Sequence, residues 1–245
     1  MVKSNREKSK IKDAGLPNKN SIGSSSPNAI IAFVKQQIGP FLKGSDHYSD
    51  SENKITRDLA VYLNQQAIDL KTVFLFIPQD LEEQSRASVD IGLYSSTGGG
   101  TYFNAKYYSR AKRFFCFEAK ILGVSESIRE KEYVQGHNED NKYLTCGGIE
   151  RFKRCIHGKE LEYAALLGYM KKNDFGYWLS SINSWIIDLT LESPLWTNND
   201  LLVRKSNLSC GYIEELSSLH ARKNIKGELY SPIKLYHLWI DLKHY

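Results

Sequence analysis

Residues 113–122 read Arg-Phe-Phe-Cys-Phe-Glu-Ala-Lys-Ile-Leu, and no other stretch restricts the fold as tightly. A short aromatic and aliphatic run of this kind predicts a core β-strand. Side chains alternate across a strand, so Glu118 and Lys120 share one face while Ala119 takes the other. Burying a carboxylate or an ammonium alone is costly, so a core strand that carries both predicts that they are used together. A second apolar stretch, residues 88–94, places Asp90 in the middle of another short strand. If the two strands are neighbours, the carboxylates of Asp90 and Glu118 meet. A bound cation is the usual resolution of that repulsion.

The 245 residues divide into a flexible basic arm, 1–26, rich in Lys, Ser, Asn and Gly, and a single domain, 27–245. A hydrophobic content of 41% with 12% aromatics suits a globular chain rather than a disordered one. No apolar run is long enough to cross a bilayer. The charged N-terminus, Met1 to Lys12, lacks the apolar segment of a secretory signal, so the expected location is cytoplasmic. Cys116, Cys146, Cys155 and Cys210 form no Cys-x-x-Cys pair, which predicts reduced thiols and no structural zinc site. A net charge of +5 permits a polyanionic partner without demanding one. Lys106, Arg110, Lys112 and Arg113 are interleaved with Tyr102, Phe103, Tyr107 and Tyr108, and a second group comprises Arg151, Lys153, Arg154, His157 and Lys159. Aromatics among cations can stack on bases while the cations neutralise phosphates; the alternative for each group is a solvated face. Lys106, Arg110, Arg151 and Lys153 are the nucleic-acid-binding candidates.

Ser26-Pro27 is a helix start, and the stripe Ile30, Ile31, Phe33, Val34, Ile38 predicts a helix that Gly39-Pro40 ends or kinks. A second helix is expected over 52–69, with Glu52 in its first turn, either complementing the helix dipole or reaching toward the strand acids. Asp58 is the fallback acid on that helix. Residues 73–77 form a β-rich run that Pro78 breaks, and Gly98-Gly99-Gly100 lacks the Gly-Lys-Ser/Thr ending of a phosphate loop. Helices are expected over 125–134 with a capping box at Ser127 and Glu130, over 147–158, over 161–170 and over 175–191; 135–146 reads as loop. Residues 212–220 and 233–242 read as two C-terminal strands, a hairpin or a sheet edge, on which His220 and His237 have ordinary structural roles. The order predicts an α/β fold with a mixed central sheet flanked by helices.

Asp90 on one strand followed by Glu118-x-Lys120 on the next resembles the PD-(D/E)xK nuclease superfamily, the restriction-endonuclease-like fold. The resemblance covers roughly residues 50–170. Val89 stands where the family has its proline, and residues 95–113 lengthen the connection between the two strands. It implies a restriction-endonuclease-like core, Mg²⁺ (or Mn²⁺ in its place) held by Asp90, Glu118 and, more loosely, Glu52, and Lys120 as the electrostatic group at the reacting phosphate. Arg151 is then positioned to clamp the phosphate or to lie on an exposed helical face. The implied activity is endonucleolytic hydrolysis of DNA, of the restriction or antiviral-defence kind, by a homodimer or with a partner subunit. The alternative is a catalytically inactive nucleic-acid-binding module of the same fold within a larger complex.

Overall fold

The computed structural model describes residues 25–44, 47–82, 87–124, 127–205 and 211–243. Most of the basic arm, the side chains of the expected Ser127–Glu130 capping box, and Cys210 lie outside the described residues. Helix α1 (Pro27–Lys43) begins as its sequence dictates, with the Ser26 hydroxyl accepting from the Ala29 amide and Pro27 in the first turn. It continues through Gly39-Pro40, because buried Phe41 and Leu42 anchor the last turn despite the donor missing at Pro40. Helix α2 (Glu52–Asp69) is capped by Ser51, and Ile55, Leu59, Ala60 and Leu63 form its buried stripe.

The strands are β1 (Phe74–Leu81), β2 (Ser88–Ser95), β3 (Thr101–Phe103), β4 (Lys106–Tyr108), β5 (Phe115–Leu122), β6 (His137–Glu139), β7 (Lys142–Leu144), β8 (Tyr163–Met170), β9 (Val203–Arg204), β10 (Ile213–Lys223) and β11 (Leu229–Asp241). Seven of them form one mixed sheet in the order β1-β2-β5-β8-β11-β10-β9, while β3–β4 and β6–β7 are separate hairpins. The β5–β8 and β8–β11 pairs are parallel and the rest antiparallel. Helices α1 and α2 cover one face through a core with Ile91, Phe117, Leu167 and Leu238. Short α3 (Gly148–Lys153) and long α4 (Phe175–Glu192) cover the other, packing on Cys116, Leu166, Met170 and Trp239. Even-numbered residues of β5 therefore face α3, which fixes the side on which Glu118 and Lys120 emerge.

The α/β class and mixed central sheet match the sequence reading, and several elements depart from it. Residues 161–170 were expected to be helical; Tyr163–Met170 is instead the central strand β8. It is buried on both faces and paired on both edges, so it reads as an unbroken apolar run without alternation. Strand β1 passes through Pro78 because it is the edge strand, where a missing donor costs no ladder bond. The C-terminal strands form a hairpin, one of the two expected arrangements, and it lies inside the sheet rather than at its edge: β11 is between β8 and β10, and β9 pairs outside β10. The loop expected over 135–146 contains the β6–β7 hairpin, and the helix expected over 125–134 is a 3₁₀ segment, Ser127–Tyr133.

Candidate functional site

The site forms where two strands part. Strand β2 pairs with β5 only from Leu93↔Phe115 to Ile91↔Phe117, whereas β5 stays paired with β8 as far as Leu122↔Met170. Past Phe117, no strand among the described residues pairs with the β2-side edge of β5. Its free amides are taken by side chains: Ala119 N donates to Asp90 Oδ2 at 2.7 Å, and Ile121 N donates to Glu52 Oε2 at 2.8 Å. Carboxylates from β2 and from the first turn of α2 thus close the fork in place of ladder carbonyls. Glu52 thus reaches from the first turn of α2 to the β5 backbone and to Lys120.

Lys120 Nζ lies between the acids, 3.3 Å from Glu52 Oε1 and 3.3 Å from Glu118 Oε1. Arg151, on α3, donates from Nη1 to Glu118 Oε1 at 2.7 Å and from Nε to the Thr145 carbonyl at 3.2 Å. His157 Nδ1 stands 3.1 Å from Glu118 Oε2 without the alignment of a hydrogen bond, so both atoms are buried with no hydrogen-bond partner and interact through charge alone. Asp90, Glu118, Lys120, Glu52 and Arg151 therefore meet in one cluster. Glu118 has no exposed surface and Lys120 is 8% exposed. Solvent reaches the cluster along a cleft of about 470 Å³ lined by Lys120, Arg151, Arg129, Glu132, His137 and Cys146.

Burial pushes the Asp90 carboxyl up to about 8, and the neighbouring charge of Glu118 pushes the same way. Burial alone would also raise Glu118, but Lys120, His157 and Arg151 outweigh it and hold that carboxyl well below the usual range. Burial would lower Lys120; Glu118, Glu52 and Asp90 reverse this and keep it firmly protonated. Lys120 and Arg151 thus offset the acid charge of the cluster, while burial favours the neutral form of Asp90.

No family model, curated protein or solved structure matches the chain.

The remaining predicted residues are elsewhere. Lys153 is corrected: it has no exposed surface, its ammonium donates to Asp200 Oδ1 at 2.6 Å, and it cannot meet a phosphate. It shares α3 with Arg151 but points into the core, a distinction that a charge count along a short helix cannot make. Lys106 and Arg110 are exposed on and just beyond the β3–β4 hairpin, which packs through Phe103 at the Phe115 end of β5, away from Lys120. Asp58 pairs with Lys54 on the surface of α2 and takes no part in the fork. His157, from the second cationic group, is buried and faces Glu118. Among the described residues, the one trio of His, Cys and carboxylate ligand atoms lying within 4.8 Å of one another is Glu132, His137 and Cys146. The oxygens of Glu52, Asp90 and Glu118 are spread more widely, around the Lys120 ammonium. Sequence spacing gave no sign of the trio, because its members come from a 3₁₀ segment, a hairpin strand and a loop.

Proposed function

We propose that this chain is a divalent-metal-dependent phosphodiesterase acting on DNA, built on a restriction-endonuclease-like core, with its chemistry at the fork between β2 and β5. The observation that carries the reading is the convergence of Asp90, Glu52 and Glu118 around Lys120 at an opening in the central sheet. In donor type the set suits Mg²⁺ or Mn²⁺, since all three acids offer hard oxygens and Glu118 Oε2 is a buried carboxylate oxygen with no hydrogen-bond partner; the three would have to draw closer to share one ion. Asp90 and Glu118 would hold the ion, with Glu52 bound more loosely. When bound, such an ion activates water and screens the phosphate charge.

The chain's own groups divide the remaining work. Lys120 is held protonated, so it stabilises charge building on phosphoryl oxygens rather than removing a proton. Arg151 is partly exposed and can move from Glu118 to a phosphate, presenting two parallel donors. The Asp90 and Glu52 carboxylates are fixed by main-chain amides, so their positions need no rearrangement before substrate arrives.

A nicking assay on supercoiled plasmid, with and without Mg²⁺ or Mn²⁺, tests the proposal. Metal-dependent cleavage is expected, with a loss of about a hundredfold or more in Asp90→Asn and in Lys120→Met, each checked for native circular dichroism. One observation favours a second reading, a non-catalytic nucleic-acid-binding module: Glu118 is sealed and already paired with Arg151. Salt-sensitive DNA binding without metal-dependent cleavage would establish that reading, and cleavage that survives both substitutions would refute the first.

A further inference from the structure

Glu132, His137 and Cys146 line one wall of the candidate active cleft and have no part in the chemistry proposed for it. His137 Nδ1 lies 3.4 Å from Cys146 Sγ and 3.4 Å from Glu132 Oε1. Zinc bonds of about 2.0–2.3 Å meeting at a tetrahedral angle put neighbouring ligand atoms roughly 3.4–3.6 Å apart. Both distances from His137 match such a polyhedron, and all three ligand atoms lie within 4.8 Å of one another.

The chain holds them there by close backbone crossing. Strands β6 and β7 are joined at Asp140-Asn141, both with left-handed φ (48° and 61°), the twist of a tight hairpin turn. At the base of the hairpin the two arms press together. A Cβ on Gly136 would fall 1.7 Å from the Leu144 carbonyl oxygen, and one on Gly147 would fall 2.3 Å from Gln135. Only glycine fits at either position. Beneath them, buried Glu150 accepts from the Gly136 amide at 2.8 Å and from the Tyr143 hydroxyl at 2.7 Å. Arg129 in turn holds the Glu132 carboxylate, the kind of outer contact that orients a ligand.

We infer that Glu132, His137 and Cys146 form a Zn²⁺ site separate from the acids at the strand fork. One thiolate and one carboxylate neutralise the dication, and the imidazole contributes its Nδ1 lone pair. Binding breaks the Cys146 S–H bond, forms a Zn–S bond and releases the proton to solvent. Three protein ligands leave the fourth position to a water from the cleft that Lys120 and Arg151 also line. The bound ion ties the β6–β7 hairpin to the 3₁₀ segment and fixes one wall of that cleft. The site does not depend on the phosphodiesterase reading. The sequence expectation of no structural zinc was based on Cys-x-x-Cys spacing, which a mixed Glu/His/Cys set does not display.

Cobalt substitution of the full-length, chelator-treated protein tests the inference. One equivalent of Co²⁺ is expected to give a thiolate-to-cobalt charge-transfer band and the visible bands of a tetrahedral centre, both bleached by Zn²⁺. Cys146→Ser should lose the charge-transfer band while Cys155→Ser keeps it. His137→Ala should weaken Zn²⁺ binding at least about tenfold, as even outer-contact losses do. Zn²⁺ should also protect the Asp140-Asn141 turn from proteolysis. Absence of the thiolate band at one equivalent, its survival in Cys146→Ser, or its loss in Asp90→Asn would each overturn the assignment.

Discussion

Replacing Ser218 with Ala is expected to cost far more than one ordinary hydrogen bond, because Ser218 joins two buried histidines. Burial lowers His220, and it lowers His237 well below the usual value, so both rings are neutral. Asp200, kept ionised by His220 and Lys153 against the effect of burial, faces His220 Nδ1 at 2.6 Å and so places the proton on that nitrogen. His220 Nε2 must then accept, and the Ser218 hydroxyl donates to it at 2.6 Å. Ser218 Oγ accepts from His237 Nε2–H at 2.7 Å, which leaves His237 Nδ1 to accept from the Tyr133 hydroxyl at 2.8 Å. The Trp239 indole closes the chain by donating to Tyr133 at 2.9 Å. Every proton in the chain points one way, and each group is satisfied only by its neighbour.

Ser218→Ala removes a donor and an acceptor at once. It leaves His237 Nε2–H and His220 Nε2 buried without partners, each costing about 1–3 kcal/mol, so the expected loss is about 2–6 kcal/mol. Ordinary serine truncation costs nearer about 1 kcal/mol. Urea unfolding followed by tryptophan fluorescence measures the difference, at pH about 7.5, where histidines in the unfolded chain are also neutral. A loss below about 1 kcal/mol would show that the two rings find other partners, and the single-direction proton arrangement would be wrong.

Lys153→Met keeps the volume but leaves Asp200 without its ammonium partner, and should cost about 3–5 kcal/mol in unfolding free energy with unchanged DNA affinity by filter binding. Stability should fall on acidification: the folded pKa of His237 lies below its unfolded value, so its contribution is complete above about pH 6.5 and is lost as pH drops, by up to about 1.4 kcal/mol per pH unit. Asp90 has the opposite sign, its raised folded pKa giving stability that is lost as pH rises toward about 8, so the slope is best read in metal-free Asp90→Asn protein. Gly136→Ala should disrupt the β6–β7 hairpin, costing about 1–3 kcal/mol by overpacking and abolishing its Zn²⁺-dependent protection from protease.

What the sequence revealed follows from where periodicity carries information. Strand β5 was readable because its charges interrupt an apolar run at the strand period, and α2 because Ser51 and its buried stripe mark both its start and its facing side. Strand β8 was misread because a strand covered on both faces loses the alternation that separates it from a helix. The gathering of Asp90, Glu118, Lys120 and Glu52 was inferable from residue type and strand order. The inward turn of Lys153 depended on the partner Asp200, 47 positions away. The buried histidine chain joins residues on the Ser127–Tyr133 segment, the Asn198–Asp200 segment, β10 and β11, and no local pattern announces contacts of that separation.

The fork between β2 and β5 links fold to chemistry in a single arrangement. A central sheet cannot open without leaving main-chain donors in need of acceptors. At Ala119 and Ile121 those donors are met by ionisable carboxyls rather than strand carbonyls. A carboxylate accepts more strongly than an amide carbonyl, so the opening at Ile121 is closed by a charge-assisted bond from Glu52. Asp90, held near neutrality by burial, keeps its bond to Ala119 in either protonation state because the carbonyl-like oxygen remains an acceptor. Each of these acids has a second oxygen beyond the one its amide uses, and Glu52 already turns its second toward Lys120. The residues that make the gap tolerable in the fold are therefore the same ones that line it with oxygen donors, which is why structure and proposed chemistry at this point are perturbed by the same substitutions.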